Sequence, residues 1–351
     1  MAEATQPAGV PASGTPAPAA TANVPDPVAA GLWRASWRAI KSSWAGRLSL
    51  LTLVLIVASS LAAPLWANHV ADSGPLTNHL TDQIRLNGEL TDVVSFEGIP
   101  IGPTGQKRFF LGADANGRDI MVRLLYGGRN SLQISLVATT ITLLLGTLFG
   151  LIAGFFRGWV DSVISRGLDI LQSTPIILLG IALGVATALG GINLGIVKIP
   201  GDSLFIPALI IGVIQTVYVA RPLRGITLSL RERPFVEAAR SQGATNMRII
   251  RREILPNLGT SLLVLAPIIF AQTVSYEAAL SFLGAGVQPP NPSWGTLISD
   301  GLDVLVSAPH LTIIPGAVLA AMVLSLNLLG DVVREAIDPR GMVAAAQKDE
   351  H

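Results

Sequence analysis

Six stretches of the chain run without a charged residue for about the thickness of a membrane: 48–67, 130–156, 170–197, 203–220, 254–276 and 304–330. About 20 apolar residues are needed for a helix to cross roughly 30 Å of hydrocarbon. A buried helix of a soluble core rarely stays uncharged so long, and six such runs in one chain define a class. The pattern predicts an all-α membrane protein with six transmembrane helices, at 48–67, about 131–156, about 170–190, 203–220, about 258–280 and about 310–330. Between the fourth and fifth runs lies a polar loop, 221–257, and before the second lies an extramembrane segment, 68–129.

The flanks read differently. Residues 1–30 are Ala, Pro, Thr and Gly with Glu3 and Asp26 as the only charges, a composition that predicts a disordered tail. No basic run opens it, so it is not read as a signal peptide. In 31–47, Trp33, Trp37, Ile40 and Trp44 recur at helical spacing beside Arg34, Arg38, Lys41 and Arg47. That is the pattern of a basic amphipathic helix on a membrane surface, a plain solvated tail being the alternative. Residues 341–351 read as a C-terminal tail. Lys and Arg crowd the segments that share a side with the N-terminus, which by the positive-inside rule predicts N-in and C-in. Arg118, Arg123 and Arg129 run against that count, and Asp114 and Asp119 are there to pair with them. The segment 68–129 is too small for an independent domain and reads as a cap on the helix ends, closing with a helix at 119–126.

Composition agrees with the pattern. Of 351 residues, 50% are hydrophobic and 13% charged, against about 25% charged in soluble domains. With no Cys, disulfides, thiolate catalysis and iron–sulfur chemistry are excluded. The four His are scattered, so no metal site is expected. Residues 102–107 echo a phosphate-binding loop but lack its spacing. No G-x-S-x-G elbow occurs, and the apolar runs hold no Ser/His pair or paired acids; an enzyme is not expected, nor any cofactor on this chain.

Inside the runs, Gly146, Gly150, Gly154 and Gly158 recur at four-residue steps, as do Gly180 and Gly184. Small residues at this spacing let helix backbones approach closely, either as plain bundle packing or as a sliding or oligomer interface. Pro175, Pro207, Pro267 and Pro315 predict kinks of the kind transporters tolerate. Glu277, beside Tyr276, is the one acid at the end of a long apolar stretch. It is either an interfacial or structural residue near the outer boundary, reaching water, or part of a translocation path or gate with Tyr276.

The loop 221–257 carries eight Arg and three Glu. Pro234 suits the first turn of a helix, with Phe235, Ala238 and Ala239 as a small apolar face. Gly243 breaks that helix. A second, Ala244 to Leu255, is expected to end at Pro256 with Ile249, Ile250 and Ile254 as its apolar residues. Two short helices joined at a glycine make a knob, suited to lipid head groups or, being rigid and partly apolar, to a groove on a protein partner.

Here Glu237-Ala238-Ala239, then Gly243, then Ile254-Leu255-Pro256 resemble the EAA motif of permease subunits of binding-protein-dependent ABC importers. Residues 111–132, 280–301 and 325–340 are similar to the C-type subunits of the dipeptide, oligopeptide and nickel branch. The first 30 residues have no counterpart there, and 72–108 are longer than that pattern. The resemblance implies a type I ABC importer permease (MetI-like) bundle over 130–340. It implies a multi-pass protein of the bacterial inner membrane whose loop 221–257 carries coupling helices, through Phe235, Glu237, Ala238, Ala239, Gly243, Ala244, Ile254 and Pro256. It further implies a homologous permease as heterodimer partner, two ABC ATPase subunits holding ATP and Mg, an extracytoplasmic solute-binding protein, the lipid bilayer, and no nucleic acid. Peptides are the expected cargo; nickel, glutathione or another small solute is the alternative. An ion-coupled secondary transporter is the competing class, and it would show internal repeats and mid-depth ionisable residues.

Overall fold

The computed structural model describes residues 36–337 apart from 87, 194, 196 and 197. The tails 1–30 and 341–351, together with Trp33 and Arg34, lie outside the described residues. Residues 36–42 are helical and turn sharply into α1 (Trp44–Leu61). Ser43, extended, caps α1 by accepting from the Gly46 N–H at 3.3 Å. A Cβ on Gly46 would sit 2.8 Å from the Ile40 carbonyl, so glycine permits the fold-over. Trp44 and Arg47 therefore belong to the spanning helix, which starts four residues before the expected 48. Leu48, Leu51, Val54 and Leu55 are exposed along α1, the surface of a helix that faces lipid.

The segment 68–129 forms the expected cap, but not as expected at its end. β1 (Gln83–Leu86) and β2 (Glu89–Asp92) pair antiparallel over a small core of Val93, Phe109 and Ala113. Its last part is no separate helix: α2 runs unbroken from Ile120 to Phe156. At 1.5 Å per residue those 37 residues reach about 55 Å, well beyond the hydrocarbon, so α2 carries its first turns into the cap. Asp119 caps it, accepting from the Val122 N–H at 3.1 Å and the Phe109 N–H at 2.6 Å.

The run 170–197 is not one helix. α3 (Gly158–Ser173) and α4 (Ile176–Ala188) meet at an 85° bend. Pro175 removes an N–H and pushes Thr174 to an extended conformation, which breaks the helix where a kink was expected. Short strands β3 (Ile192–Asn193) and β4 (Lys198–Ile199) follow. α5 (Phe205–Arg231) extends eleven residues past the expected end at 220, carrying Arg221, Arg224 and Arg231 out of the loop and into a helix. Asp161 on α3 takes Arg224 through two hydrogen bonds of 2.6 Å, and Asp169 takes Arg221 at 2.6 Å. These pairs clamp α3 along α5.

Next come α6 (Pro234–Ser241) and α7 (Asn246–Ile249), a π turn at Ile250–Ile254, and α8 (Leu255–Phe282). The chain then folds back through α9 (Trp294–Leu302) before α10 (His310–Ile337). The last span thus begins at His310, and 304–309, uncharged though they are, form the turn before it. Among the described residues, five helices are long and apolar enough to span a membrane, six if the bent α3–α4 pair counts as one.

α2 packs closely on α5 along much of its length. A Cβ on Gly146 would fall 2.5 Å from Val219 Cβ; on Gly150, 2.6 Å from the Ala220 carbonyl; on Gly154, 2.7 Å from Thr227 Cβ. Three glycines of the stripe are used within the chain, where they bring two backbones into contact; Gly158 lies past the end of α2 at φ +61° with open space around it.

Candidate functional site: the helical knob and its root

The knob is built by local chemistry. Pro234 opens α6 at a position that needs no N–H donor. Gly243 takes φ +78°, a left-handed conformation that reverses the chain, and the Ala244 N–H donates to the Ala239 carbonyl at 3.0 Å. Thr245 caps α7 by accepting from the Arg248 N–H at 3.4 Å. The helix does not end at Pro256 as expected. Pro256 sits in the first turn of α8, and the widened turn at Ile250–Ile254 accommodates a residue that has no N–H and crowds the carbonyl four residues back.

The buried face also differs from the sequence reading. Val236 is fully buried; Phe235 is 40% exposed, and Glu237 and Ala238 are exposed beside it. Val236, Ile249, Ile250 and Ile254 join Leu151 and Phe155 of α2, Val219 and Leu223 of α5, and Leu258 of α8 in one apolar cluster, with Ala239 and Ala244 packed against it. Phe235, Ala238, Met247 and Leu255 are left at the surface. Outside the spans, Glu232 pairs with Arg157, whose hydrogen bond holds that carboxyl below the usual range. The knob is thus an exposed surface on a root shared by three long helices.

Glu277 and Tyr276 are not brought together. Glu277 is fully buried, not interfacial, because the return through α9 covers it. The Ser281 hydroxyl donates to its Oε1 at 2.8 Å; Oε2 makes no hydrogen bond, although Ser131 and Ser293 stand near the carboxyl. Ser281 Oγ in turn accepts from the Val287 N–H at 3.0 Å, and Ser131 Oγ from the Trp294 N–H at 3.2 Å. The carboxyl is enclosed where α8, α2 and α9 meet, and the Ser131–Trp294 bond links α2 to α9. Glu277→Gln, which keeps the Ser281 contact, should leave uptake and melting temperature near the parent values; Glu277→Leu strands the hydroxyls and should cost about 1–3 kcal/mol of stability, read by thermal unfolding. Tyr276 instead lies beside Tyr218 of α5. Tyr218 lines a cavity of about 250 Å³ at the α3–α4 break, with Gln172, Thr174 and Pro175. Sequence reasoning missed this recess; Pro175 beside Gln172 and Thr174 was the only signal.

At the far end, buried Arg123 bridges Asp114 at 3.2 Å and Asp300 at 3.1 Å, and Arg118 pairs with Asp114 at 2.7 Å. This accounts for two of the three arginines that ran against the charge count. Burial raises the Asp300 carboxyl above its ordinary range despite the nearby Arg118, and raises Asp119 despite its N–H donors. In the cap, His79 Nδ1–H donates to Asp82 at 2.7 Å, leaving Nε2 to accept from Ser73 at 3.0 Å. The order is that of a hydrolase relay, but the N–H groups of Ser73 and Gly74 are spent on Ala67 O and Thr77 Oγ1. No oxyanion donor is left beside the serine, and the relay serves to fasten the chain after α1 to the cap.

A bundle of long apolar helices with glycine-tight packing, a kinked and broken interior and a polar knob at one end defines a polytopic membrane transport subunit. The family model for binding-protein-dependent transport system inner membrane components matches residues 146–342. The chain belongs to that family. It is 40% identical over 239 residues to the dipeptide transport system permease protein DppC of Alkalihalophilus pseudofirmus, covering 68% of this chain and 74% of that one. It is 38% identical over 231 residues to the glutathione transport system permease protein GsiD of Pectobacterium atrosepticum, covering 66% and 72%. Among solved structures, an inward-facing form of the MetNI methionine ABC transporter superposes with TM-score 0.50 at 22% identity, over 62% of this chain and 97% of that one. The fold is a type I ABC permease, and the chain is a multi-pass protein of the bacterial plasma membrane that works with other transporter components.

Proposed function

We propose that this chain forms, with a homologous permease as heterodimer partner, the pathway through which an ABC importer moves di- and oligopeptides, and that the knob docks on the partner ATPases. The observation that carries the reading is the shared cluster beneath the knob: Val236, Ile249 and Ile254 cannot move without Phe155, Leu223 and Leu258. A dense apolar core transmits displacement and does not absorb it. In this reading the knob faces the cytoplasm with both chain ends, an extracytoplasmic binding protein meets the cap side, and ATP with Mg acts on the two ATPases. Closure of the ATPases pushes Phe235, Glu237 and Ala238; the root tilts α2, α5 and α8; the pathway switches its open side. The names of the relatives support peptide cargo, and the glutathione relative supports a small peptide-like solute as the second reading. Proteoliposomes holding the full complex should take up labelled dipeptide only with ATP and the binding protein; uptake by this chain alone under an ion gradient would contradict the assignment.

A further inference from the structure

A second recess, almost wholly apolar, is unrelated to the knob. A groove of about 530 Å³ opens between the helical residues 36–42, α1, α2, α8 and α10. Trp37 and Ile40 form one end, Leu329 and Pro267 its flanks, Leu136 and Phe270 its deep end. From Leu263 to Phe270 the groove follows α8 for about 10 Å, comparable with the roughly 15 Å of hydrocarbon in one leaflet. Leu136 and Thr140 are exposed, so the groove is open towards lipid.

Its mouth is charged in one sense. Lys41 Nζ stands 5.1 Å over the ring of Trp37, which lines the groove. Among residues 36–47, Arg38, Lys41 and Arg47 are exposed and there is no acid. At the end of α10, Arg334 is flanked by Asp331 and Glu335, so the excess of positive charge comes from the N-terminal side. An apolar slot one leaflet deep, with an aromatic rim and cations at the head-group level, matches a lipid that carries a negative charge.

We propose that this groove is a binding site for one anionic phospholipid, an acyl chain lying between α2 and α8 and the phosphate held by Lys41 and Arg47. The bound chain would pack against Pro267, inside the helix that leads directly into the knob. The test uses the intact membrane complex that co-purifies with this chain. It is placed in nanodiscs of equal phosphatidylglycerol and phosphatidylcholine, then extracted, and its retained lipid is counted by native mass spectrometry. The expected result is preferential retention of phosphatidylglycerol, with the preference cut about fivefold by Lys41→Gln, the worth of one basic side chain near a membrane surface. Ala266→Trp, which fills the groove, should remove one retained lipid of either kind. Equal retention of the two lipids overturns the proposal. So does a lipid count unchanged by Ala266→Trp, the result expected if a partner subunit or residues 1–35 of this chain fill the groove.

Discussion

Gly243→Asp is expected to abolish coupled uptake while the assembled complex still hydrolyses ATP. Gly243 turns the chain between α6 and α7 at φ +78°, and a left-handed conformation costs an L-residue about 1–2 kcal/mol. A Cβ there meets nothing within 4 Å, so the substitution does not crowd the root. Its effect falls on the turn and on the exposed face, where it adds a carboxylate to a surface that also carries Arg240 and Arg248. Gly243→Asn, similar in shape, uncharged and tolerant of left-handed backbone, should retain most uptake. Loss in Asp but not Asn assigns the defect to charge on the docking face; equal loss assigns it to the turn; normal uptake in both would count against docking by this surface.

Gly150→Val is expected to prevent the bundle from packing at all. The added carbon would meet the Ala220 carbonyl at 2.6 Å, Leu223 Cβ at 2.9 Å and the Arg224 N at 3.1 Å. Two of those three atoms are backbone, which cannot rotate away, so α2 and α5 must separate along their length. Overpacking of a flexible site costs about 1–3 kcal/mol, and a rigid one should reach or pass that upper end. Thermal unfolding in detergent and recovery from membranes measure it. Gly225→Ala on the same α5 has open space around it and should be neutral or stabilising by up to about 1 kcal/mol. If both substitutions behaved alike, the glycine stripe would not be the contact that holds the bundle.

The spans were readable because lipid forbids charge over a fixed thickness, and Arg or Lys marks where that rule stops. The same rule is silent about how far a helix continues into water. α5 therefore ran on to Arg231, and α2 began at Ile120, where polar residues are paired by the Asp161, Asp169 and Asp114 contacts. Proline misled in both directions: Pro175 broke a span where a kink was expected, while Pro256, expected to end a helix, was absorbed by a π turn. The knob was legible in Pro234 and Gly243, whose backbone demands are local. Its register was not, since eight residues of α6 allow either Phe235 or Val236 inward, and only the cluster with Phe155 and Leu258 decides for Val236. The burial of Glu277 depended on Ser293 and Trp294 returning from sequence sixteen or more residues away, which periodicity along α8 does not encode.

The central claim is that the outer face of the knob is covered by a partner while its root stays with the bundle. The chain has no Cys, so a single cysteine placed in it is the one label site on this chain's band. Cysteines replacing Ala238, Met247 and Lys198 are treated with a membrane-impermeant maleimide in the purified chain and in the full transporter, both in detergent. The account expects Ala238→Cys and Met247→Cys to label readily in the chain alone and to be protected in the transporter, with Lys198→Cys labelled in both. Equal labelling of Ala238→Cys with and without the ATPases would contradict it.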